Sequence, residues 1–187
     1  MSEVYKTHED KGYFVTMTVV DWMDVFIKKN HRLKIIESLR YCQVNKGLEI
    51  FGFCLMTNHL HLIARAAGQQ SLSEILRDFK QYTAKSIIRQ IIEEPESRRL
   101  WLLDRFEFRG KYVKRNTKYK FWEDGLHAEI ILTPKFFYEK LNYIHNNPVK
   151  DLFVEKPEEY LFSSARNYAG LPSLIEVILE TPQLRTQ

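Results

Sequence analysis

The chain has 187 residues, of which 44% are hydrophobic and 28% are charged. This composition is typical of a globular protein with one hydrophobic core, and it excludes a chain that is disordered throughout. Lysine and arginine outnumber aspartate and glutamate by 28 to 24, which is compatible with a nucleic-acid partner but does not require one.

Five segments in the first half of the chain have a clear hydrophobic period. They predict a strand at 13–20, a helix at 28–46, strands at 48–56 and 59–65, and a helix at 72–92. Gly47 is suited to end the first helix, and the Ser71 and Glu74 pair has the spacing of a capping box at the start of the second. The polar pair Thr57 and Asn58 is suited to a hairpin between the two strands.

The second half of the chain is less regular. Residues 95–120 are polar and basic, and we expect an irregular insertion there. A strand at 127–132 and a helix from Thr133 to about His145 follow, and Asn146-Asn147-Pro148 is expected to break that helix. From about residue 150 we expect a C-terminal extension with short pieces around 157–169 and an apolar run at 174–179.

The order of these elements predicts an α+β fold. Strand, helix, strand, strand, helix, strand, helix is the order of a ferredoxin-like split βαβ sandwich, with an antiparallel sheet and helices on one face. Residues 1–187 are expected to form a single domain. Cys42 and Cys54 have no spacing of a disulfide framework, and no apolar run is long enough to span a membrane, so the expected compartment is the cytoplasm.

Two histidines of the second hairpin strand form a candidate metal site. Side chains two apart in a strand share a face, so His59 and His61 point the same way while Leu60 faces the core. Two neutral imidazoles held together can bind one divalent ion, which polarises a phosphodiester. The alternative is a pair of surface histidines on a half-exposed strand.

Tyr82 is the candidate nucleophile. It lies at the edge of the apolar stripe of the 72–92 helix, so its ring can pack while its hydroxyl projects over the sheet. Nearby cations on this helix could hold a phosphate backbone, namely Arg77, Lys80, Lys85 and Arg89. The alternative is an amphipathic tyrosine at a boundary between helix and sheet, which is the commoner role of any one of ten tyrosines.

A basic segment follows this helix. Against a single acid, Glu107, it contains seven cations: Arg105, Arg109, Lys111, Lys114, Arg115, Lys118 and Lys120. The segment is either a solvated loop or an arm that contacts DNA phosphates, because clustered cations gain from counterion release.

Three sequence blocks together resemble the tyrosine-dependent HUH transposases, in the REP-associated (insertion-sequence 200-like) branch. Residues 54–63, CLMTNHLHLI, resemble the family's histidine signature, and residues 79–85, FKQYTAK, resemble its nucleophile helix. Residues 143–150, YIHNNPVK, followed by 160–165, YLFSSA, are similar to a run of the REP-associated branch. The blocks occur in the order of the family.

The resemblance implies a metal-dependent enzyme that cuts and rejoins single-stranded DNA. In this family a tyrosine attacks a phosphodiester to form a 5′-phosphotyrosine, a phenol being both nucleophile and leaving group. Mg²⁺ or Mn²⁺ bound by His59 and His61 is the implied cofactor, with Tyr82 as nucleophile and DNA hairpins or palindromic repeats as substrate. The candidate DNA-binding residues are Asn58, Lys80, Lys85, Arg115, Asn146, Asn147 and Lys150.

The chain departs from the family pattern at the third metal ligand. Relatives take it from an amide residue one turn after the tyrosine, where this chain has Ser86. Gln81, Gln90, Asp21 or water are the alternatives. The block at 145–148 has two interpretations as well, a helix stop or a polar cluster that contacts DNA.

The departure leaves a second hypothesis open, that of a hairpin-binding protein with weak or no cleavage activity. A metallohydrolase for small substrates fits poorly, because the sequence has no further Asp and His cluster. Monomer and homodimer are both compatible with the sequence.

Overall fold

A four-stranded antiparallel sheet lies at the centre of the protein, as seen in a computed structural model that describes residues 11–112 and 118–180. Its strands are β1 (Tyr13–Thr18), β2 (Leu48–Leu55), β3 (His59–Ala66) and β4 (His127–Ile130). The strand order is β2-β3-β1-β4, so the histidine strand β3 is central. The predicted α+β fold with an antiparallel sheet is confirmed.

Five α-helices of the described residues accompany the sheet. They are α1 (Lys29–Lys46), α2 (Leu72–Glu93), α3 (Arg99–Lys111), α4 (Pro134–Lys150) and α5 (Ala165–Tyr168). The termini of α1 and α2 follow the predicted signals. Gly47 adopts a left-handed φ of 68° at the end of α1, and a Cβ there would lie 2.9 Å from the Gly68 nitrogen. Ser71 and Glu74 form the expected capping box of α2.

The helices cover both faces of the sheet. A Cβ on Gly52 of β2 would lie 2.7 Å from Leu141 and 3.2 Å from Ile144, so α4 packs closely on this face. The same Cβ would lie 3.5 Å from Ile63, which shares a strand face with His59 and His61. Helices α1 and α2 pack against each other and cover the opposite face. The predicted packing of helices on one face applies to α1 and α2, whereas α4, the predicted helix after β4, packs on the histidine face.

The expectation of an irregular insertion at 95–120 is wrong for half of its length, residues 99–111. Helix α3 occupies this segment, and Leu102, Phe106 and Gly110 form its buried stripe at a spacing of four residues. The many charges of this helix lie between these positions and conceal the stripe in the sequence. Residues 113–117 of the insertion, with Lys114 and Arg115, lie outside the described residues.

Asn146-Asn147-Pro148 does not break α4, which continues to Lys150. Pro148 cannot donate to the carbonyl of Ile144, so one helical hydrogen bond is lost. The loss falls in the last turn, where Pro148 is buried and the Asp151 N–H donates to the Asn147 carbonyl. Packing of this turn therefore offsets the missing bond, and the polar residues of the block stay on a helix.

The C-terminal extension completes the outer edge of the sheet. The Leu55 N–H donates to the carbonyl of Phe162 and the Ser164 N–H donates to that of Phe53, so this segment pairs with β2. The apolar run at 174–179 forms no regular element, although the Ile178 N–H donates to the carbonyl of Ile50. Within the described part of the chain, no helix is long and apolar enough to cross a membrane.

His145 connects α4 to this edge and gives stability a pH dependence. Its Nε2 lies 2.8 Å from the Ser164 hydroxyl, and burial lowers the pKa of His145 from 6.5 to about 4. The unfolded chain takes up a proton near pH 6.5 and the folded protein only near pH 4, so stability from this group is lost as pH falls through that window. At pH 5 the loss is about 2 kcal/mol.

Urea unfolding at pH 7 and pH 5 tests this expectation with the variant His145→Gln. Other buried histidines contribute equally to both proteins, so the difference isolates His145. The variant should lose about 2 kcal/mol less than the wild-type protein between the two pH values. An identical loss would mean that His145 does not stay neutral in the folded protein.

Candidate active site

His59 and His61 lie side by side on the face of β3 that α4 covers. Their ring centroids are 4.6 Å apart. The antiparallel register with β1 pairs His59 with Thr18 and His61 with Thr16. Strand alternation therefore brings the two imidazoles together as the sequence predicts.

His61 has one ring nitrogen held and the other unused. Its Nδ1 lies 2.9 Å from the Thr16 hydroxyl, while Nε2 is buried and has no hydrogen-bond partner among the described residues. Burial, followed by the charges of His59 and Lys140, lowers the pKa of His61 to about 3. The ring is therefore neutral at physiological pH, the state in which an imidazole binds a metal.

Asn58 fixes the orientation of His59. Its side-chain oxygen lies 2.6 Å from His59 Nδ1, so that nitrogen donates and Nε2 keeps its lone pair. The Asn58 amide nitrogen donates to the Trp22 carbonyl and to the carboxylate of Asp24, both at 3.2 Å. Burial also lowers the pKa of His59, with Asp151 and Asp24 opposing the shift. Asn58, predicted to bind DNA, thus has its hydrogen bonds taken up inside the protein and positions a histidine.

Tyr143 of α4 is the tyrosine beside the histidines. Its ring centroid is 5.4 Å from that of His61 and 6.2 Å from that of Phe14. The side chain is 43% exposed, so its ring is anchored by packing while part of it reaches solvent. The Lys150 ammonium lies 5.5 Å from the centre of the same ring. A phenol, two imidazoles and a cation therefore meet at one partly open site.

Asn147 lies one turn after Tyr143 and faces the same side of α4. Its Nδ2 is buried without a hydrogen-bond partner in the part of the chain that the structure describes. Rotation of the carboxamide exchanges its nitrogen and oxygen, so the oxygen can take this position. His59, His61 and Asn147 could together hold a divalent ion, since they offer neutral nitrogen and oxygen donors. Residues 11–112 and 118–180 contain no cluster of three or more His, Cys, Asp or Glu suited to a metal.

Tyr82 is not at this site. It is 56% exposed and lines a groove between α1 and α2 of about 560 Å³, together with Tyr41, Cys42 and Phe79. These helices cover the sheet face opposite to the histidines. The geometry therefore does not support the prediction that Tyr82 attacks a phosphate held by His59 and His61.

The other predicted DNA-binding residues lie in different environments. Lys80 donates to the carbonyls of Glu123 at 2.7 Å and Gly125 at 3.0 Å, so it supports the loop before β4. Burial lowers the pKa of Lys80 to about 8. Asn146 is exposed and donates to the Asn142 carbonyl, and Lys85 is exposed on α2. Arg115 lies outside the described residues.

The basic segment is partly neutralised within the fold. Arg109 forms ion pairs with Asp21 and Glu123, and Lys120 forms one with Asp124. The pair of Arg109 and Glu123 joins α3 to the loop before β4, and the pair of Lys120 and Asp124 lies within that loop. The ion pairs neutralise two of the seven cations, and Lys114 and Arg115 lie outside the described residues, so a phosphate-contacting arm stays a prediction.

Thr16 offers a direct test of the histidine geometry. Thr16→Val keeps the shape of the side chain and removes the hydroxyl that holds His61 Nδ1, so we expect Mn²⁺ affinity to fall about 10–100-fold, as for other groups that orient a metal ligand. Thr16→Ser restores the hydroxyl and should restore affinity. Calorimetric titration with Mn²⁺ measures both, and equal affinity in all three proteins would contradict the role of Thr16.

Tyr143 lies in the family-like block at 143–150, but that block alone does not single it out as the nucleophile. One available signal was the requirement for an amide one turn after the tyrosine, which Ser86 fails for Tyr82 and Asn147 meets for Tyr143. A helix that ends at His145, as the sequence predicts, would leave Asn147 outside the helix, so Asn147 would not be recognised as the residue one turn after Tyr143. Only a helix that continues past His145 brings Tyr143 and Asn147 to the same side of α4.

Comparison with known proteins identifies the family and supports the fold. Residues 13–117 match the profile of a family described as IS200-like transposases. A solved structure of a REP-associated tyrosine transposase bound to a REP hairpin is similar over 96% of this chain and 94% of that chain. Its TM-score is 0.64 and its sequence identity is 16%. No protein of curated function has a significantly similar sequence.

Proposed function

The chain belongs to the IS200-like transposase family, and on this premise we propose that it cuts and rejoins single-stranded DNA with Tyr143 as nucleophile. The single observation that carries the proposal is the position of the Tyr143 ring, 5.4 Å from His61 and on the face of the sheet that holds both histidines. The proposal replaces Tyr82, which lies in the groove between α1 and α2.

The proposed chemistry is a transesterification. The Tyr143 oxygen attacks the phosphorus, and the bond from phosphorus to the 3′ oxygen breaks as the new bond forms. The tyrosine proton passes to water, and the 3′ oxygen takes up a proton to leave as a hydroxyl. The product is a 5′-phosphotyrosine, and attack by a 3′-hydroxyl on it reverses the reaction and rejoins a strand without a nucleotide cofactor.

The residues around Tyr143 have complementary tasks in this proposal. Lys150 brings a positive charge to the ring of Tyr143, where negative charge gathers on the phosphate during cleavage and on the departing phenolate during rejoining. Thr16 and Asn58 hold the two imidazoles in place. His59, His61 and Asn147 fit a Mg²⁺ or Mn²⁺ ion, which when bound polarises the phosphodiester.

All of these groups come from one chain. Strand β3 supplies the histidines, β1 and the turn before β3 supply their partners Thr16 and Asn58, and α4 supplies Tyr143, Asn147 and Lys150. A complete site within one subunit needs no second copy for cleavage, so a monomer is sufficient. A homodimer is compatible with the same arrangement.

Hairpin DNA is the proposed substrate. The support is the similar transposase structure, which is bound to a REP hairpin. The alternative of a hairpin-binding protein with little activity rested on Ser86 as a poor third ligand. Asn147 removes that reason, because it supplies the amide one turn after the proposed nucleophile.

The proposal is tested with a DNA hairpin that carries single-stranded flanks and a label at its 3′ end. Incubation with Mn²⁺ should transfer the label to the protein in a product that survives denaturing electrophoresis. Chelation of the metal should prevent it. Tight hairpin binding without any labelled protein, over a panel of flanking sequences, would favour the binding protein instead.

A further inference from the structure

The loop after β1 holds a strained backbone next to the histidines. Asp21 and Trp22 have φ values of 54° and 53°, and neither residue is glycine. Two consecutive left-handed residues of this kind are costly and persist only when surrounding contacts enforce them. Such strain is concentrated at functional sites, so the conformation of this loop indicates a functional role rather than a contribution to stability.

Several contacts enforce this conformation. The Asp21 carboxylate forms an ion pair with Arg109 at 3.4 Å, and the Asp21 N–H donates to Glu123 at 3.4 Å. The amide of Asn58 donates to the Trp22 carbonyl at 3.2 Å. Because Asn58 also holds His59, the position of Trp22 and the orientation of a histidine are linked through one side chain.

The result of this arrangement is an exposed indole at the rim of the site. Trp22 is 62% exposed, although a tryptophan ring is among the side chains that gain most from burial. Its ring lies 5.7 Å from that of His59, edge to face. The fold therefore keeps a flat aromatic surface in solvent beside the proposed metal ligands.

A small cavity lies beside the indole. It measures about 120 Å³ and is lined by Trp22, Thr16, Thr18, Glu123, Gly125 and His127. Thr16 is the residue whose hydroxyl contacts His61, so the cavity adjoins the site. Glu123 and Asp124 also line it and make it unfavourable for a phosphate. A neutral planar group can stack on the indole and lie against the acidic side of the cavity.

We propose that Trp22 stacks on one unpaired nucleobase of the DNA strand, next to the phosphate that is cut. The location of that phosphate rests on the proposed function. The phosphate lies at the histidines while the adjoining base lies against the indole and in the cavity, so the strand is held at the phosphate and at one neighbouring base. Aromatic stacking accepts any base, so Trp22 adds affinity and position without demanding a sequence.

Two probes with equal charge separate stacking from phosphate binding. One is a single-stranded dodecamer of thymidine, and the other is a dodecamer of abasic sites with the same phosphates. Binding is measured by fluorescence anisotropy without added metal, so that no cleavage occurs. Trp22→Ala should weaken binding of the thymidine probe about tenfold, a typical contribution of one stacked base, and leave the abasic probe unchanged.

Three further variants keep this test decisive. Trp22→Phe keeps an aromatic face and should recover most of the affinity. Trp22→Gly tolerates the positive φ, so it should lose affinity like Trp22→Ala without a lower melting temperature. Trp101→Ala removes a tryptophan that is 50% exposed on α3 and should bind both probes as the wild-type protein does.

The outcomes separate this inference from the proposed function. An equal loss for both probes, no loss for either, or the same loss in Trp101→Ala would overturn the stacking role. Selective loss of the thymidine probe in a protein that never forms a DNA adduct would support Trp22 and reject the transposition chemistry. If the wild-type protein forms the adduct and Trp22→Ala binds both probes unchanged, the transposition chemistry is supported and the stacking role of Trp22 is rejected.

Discussion

Tyr143→Phe is expected to abolish covalent attachment of DNA while leaving hairpin binding close to that of the wild-type protein. The change removes only the hydroxyl that attacks phosphorus, and it keeps the ring that packs against His61 and Phe14. The rate of cleavage should fall by about 10³-fold or more, because phenylalanine has no oxygen with which to attack the phosphorus. A labelled hairpin and denaturing electrophoresis measure the adduct, and anisotropy measures binding.

Tyr82→Phe is the matched control. It makes the same chemical change at a half-exposed tyrosine in the groove between α1 and α2. We expect adduct formation and melting temperature close to those of the wild-type protein. Loss of the adduct in Tyr82→Phe, with the adduct retained in Tyr143→Phe, would reverse the assignment.

His61→Ala is expected to remove both metal binding and cleavage. His61 Nε2 is a buried nitrogen without a hydrogen-bond partner within the described residues, and the ring is held neutral by burial. Mn²⁺ at a hundredfold excess over its Kd should stabilise the wild-type protein by about 2.7 kcal/mol, and the variant should lose that gain. Cleavage should fall more than the roughly 10–100-fold expected when a group that merely orients a ligand is lost.

Tyr143→Phe is also the control for this experiment. It retains His59, His61 and Asn147, so Mn²⁺ should stabilise it as it stabilises the wild-type protein. Thermal melting with and without Mn²⁺ measures all three proteins. A full Mn²⁺ stabilisation of His61→Ala would mean that the ion binds elsewhere.

Much of the fold could be predicted because local signals and tertiary structure agree. The alternation around His59 and His61 predicts their common face, and the capping box at Ser71 predicts the start of α2. Helix α3 could not be predicted in this way, since its apolar stripe is short and lies among charges. Its stability comes from packing of Leu102 and Phe106, which the sequence alone does not reveal.

The site was only half predictable for a related reason. A strand period places two histidines together, but it does not indicate which tyrosine lies beside them on the same face of the sheet. That choice depends on α4 packing on the histidine face at Gly52 and on the helix continuing past Pro148. Both are tertiary effects that override a local helix-stop signal.

Polar residues near the site were the least predictable of all. Asn58 and Lys80 have the chemistry of DNA contacts, and their distribution in the sequence favours that role. The structure uses Asn58 to orient His59 and Lys80 to hold the carbonyls of Glu123 and Gly125. Whether an amide or an ammonium group is free depends on hydrogen-bond partners that are distant in sequence.

Mass spectrometry of the DNA-linked protein tests the central claim most directly. Trypsin releases Tyr143 in the peptide 141–150 and Tyr82 in the peptide 81–85, because lysines flank both segments. After nuclease trimming, the remaining nucleotide mass should lie on the peptide 141–150, with fragmentation assigning it to Tyr143. The same mass on the peptide 81–85, or on any other tyrosine, would contradict the account.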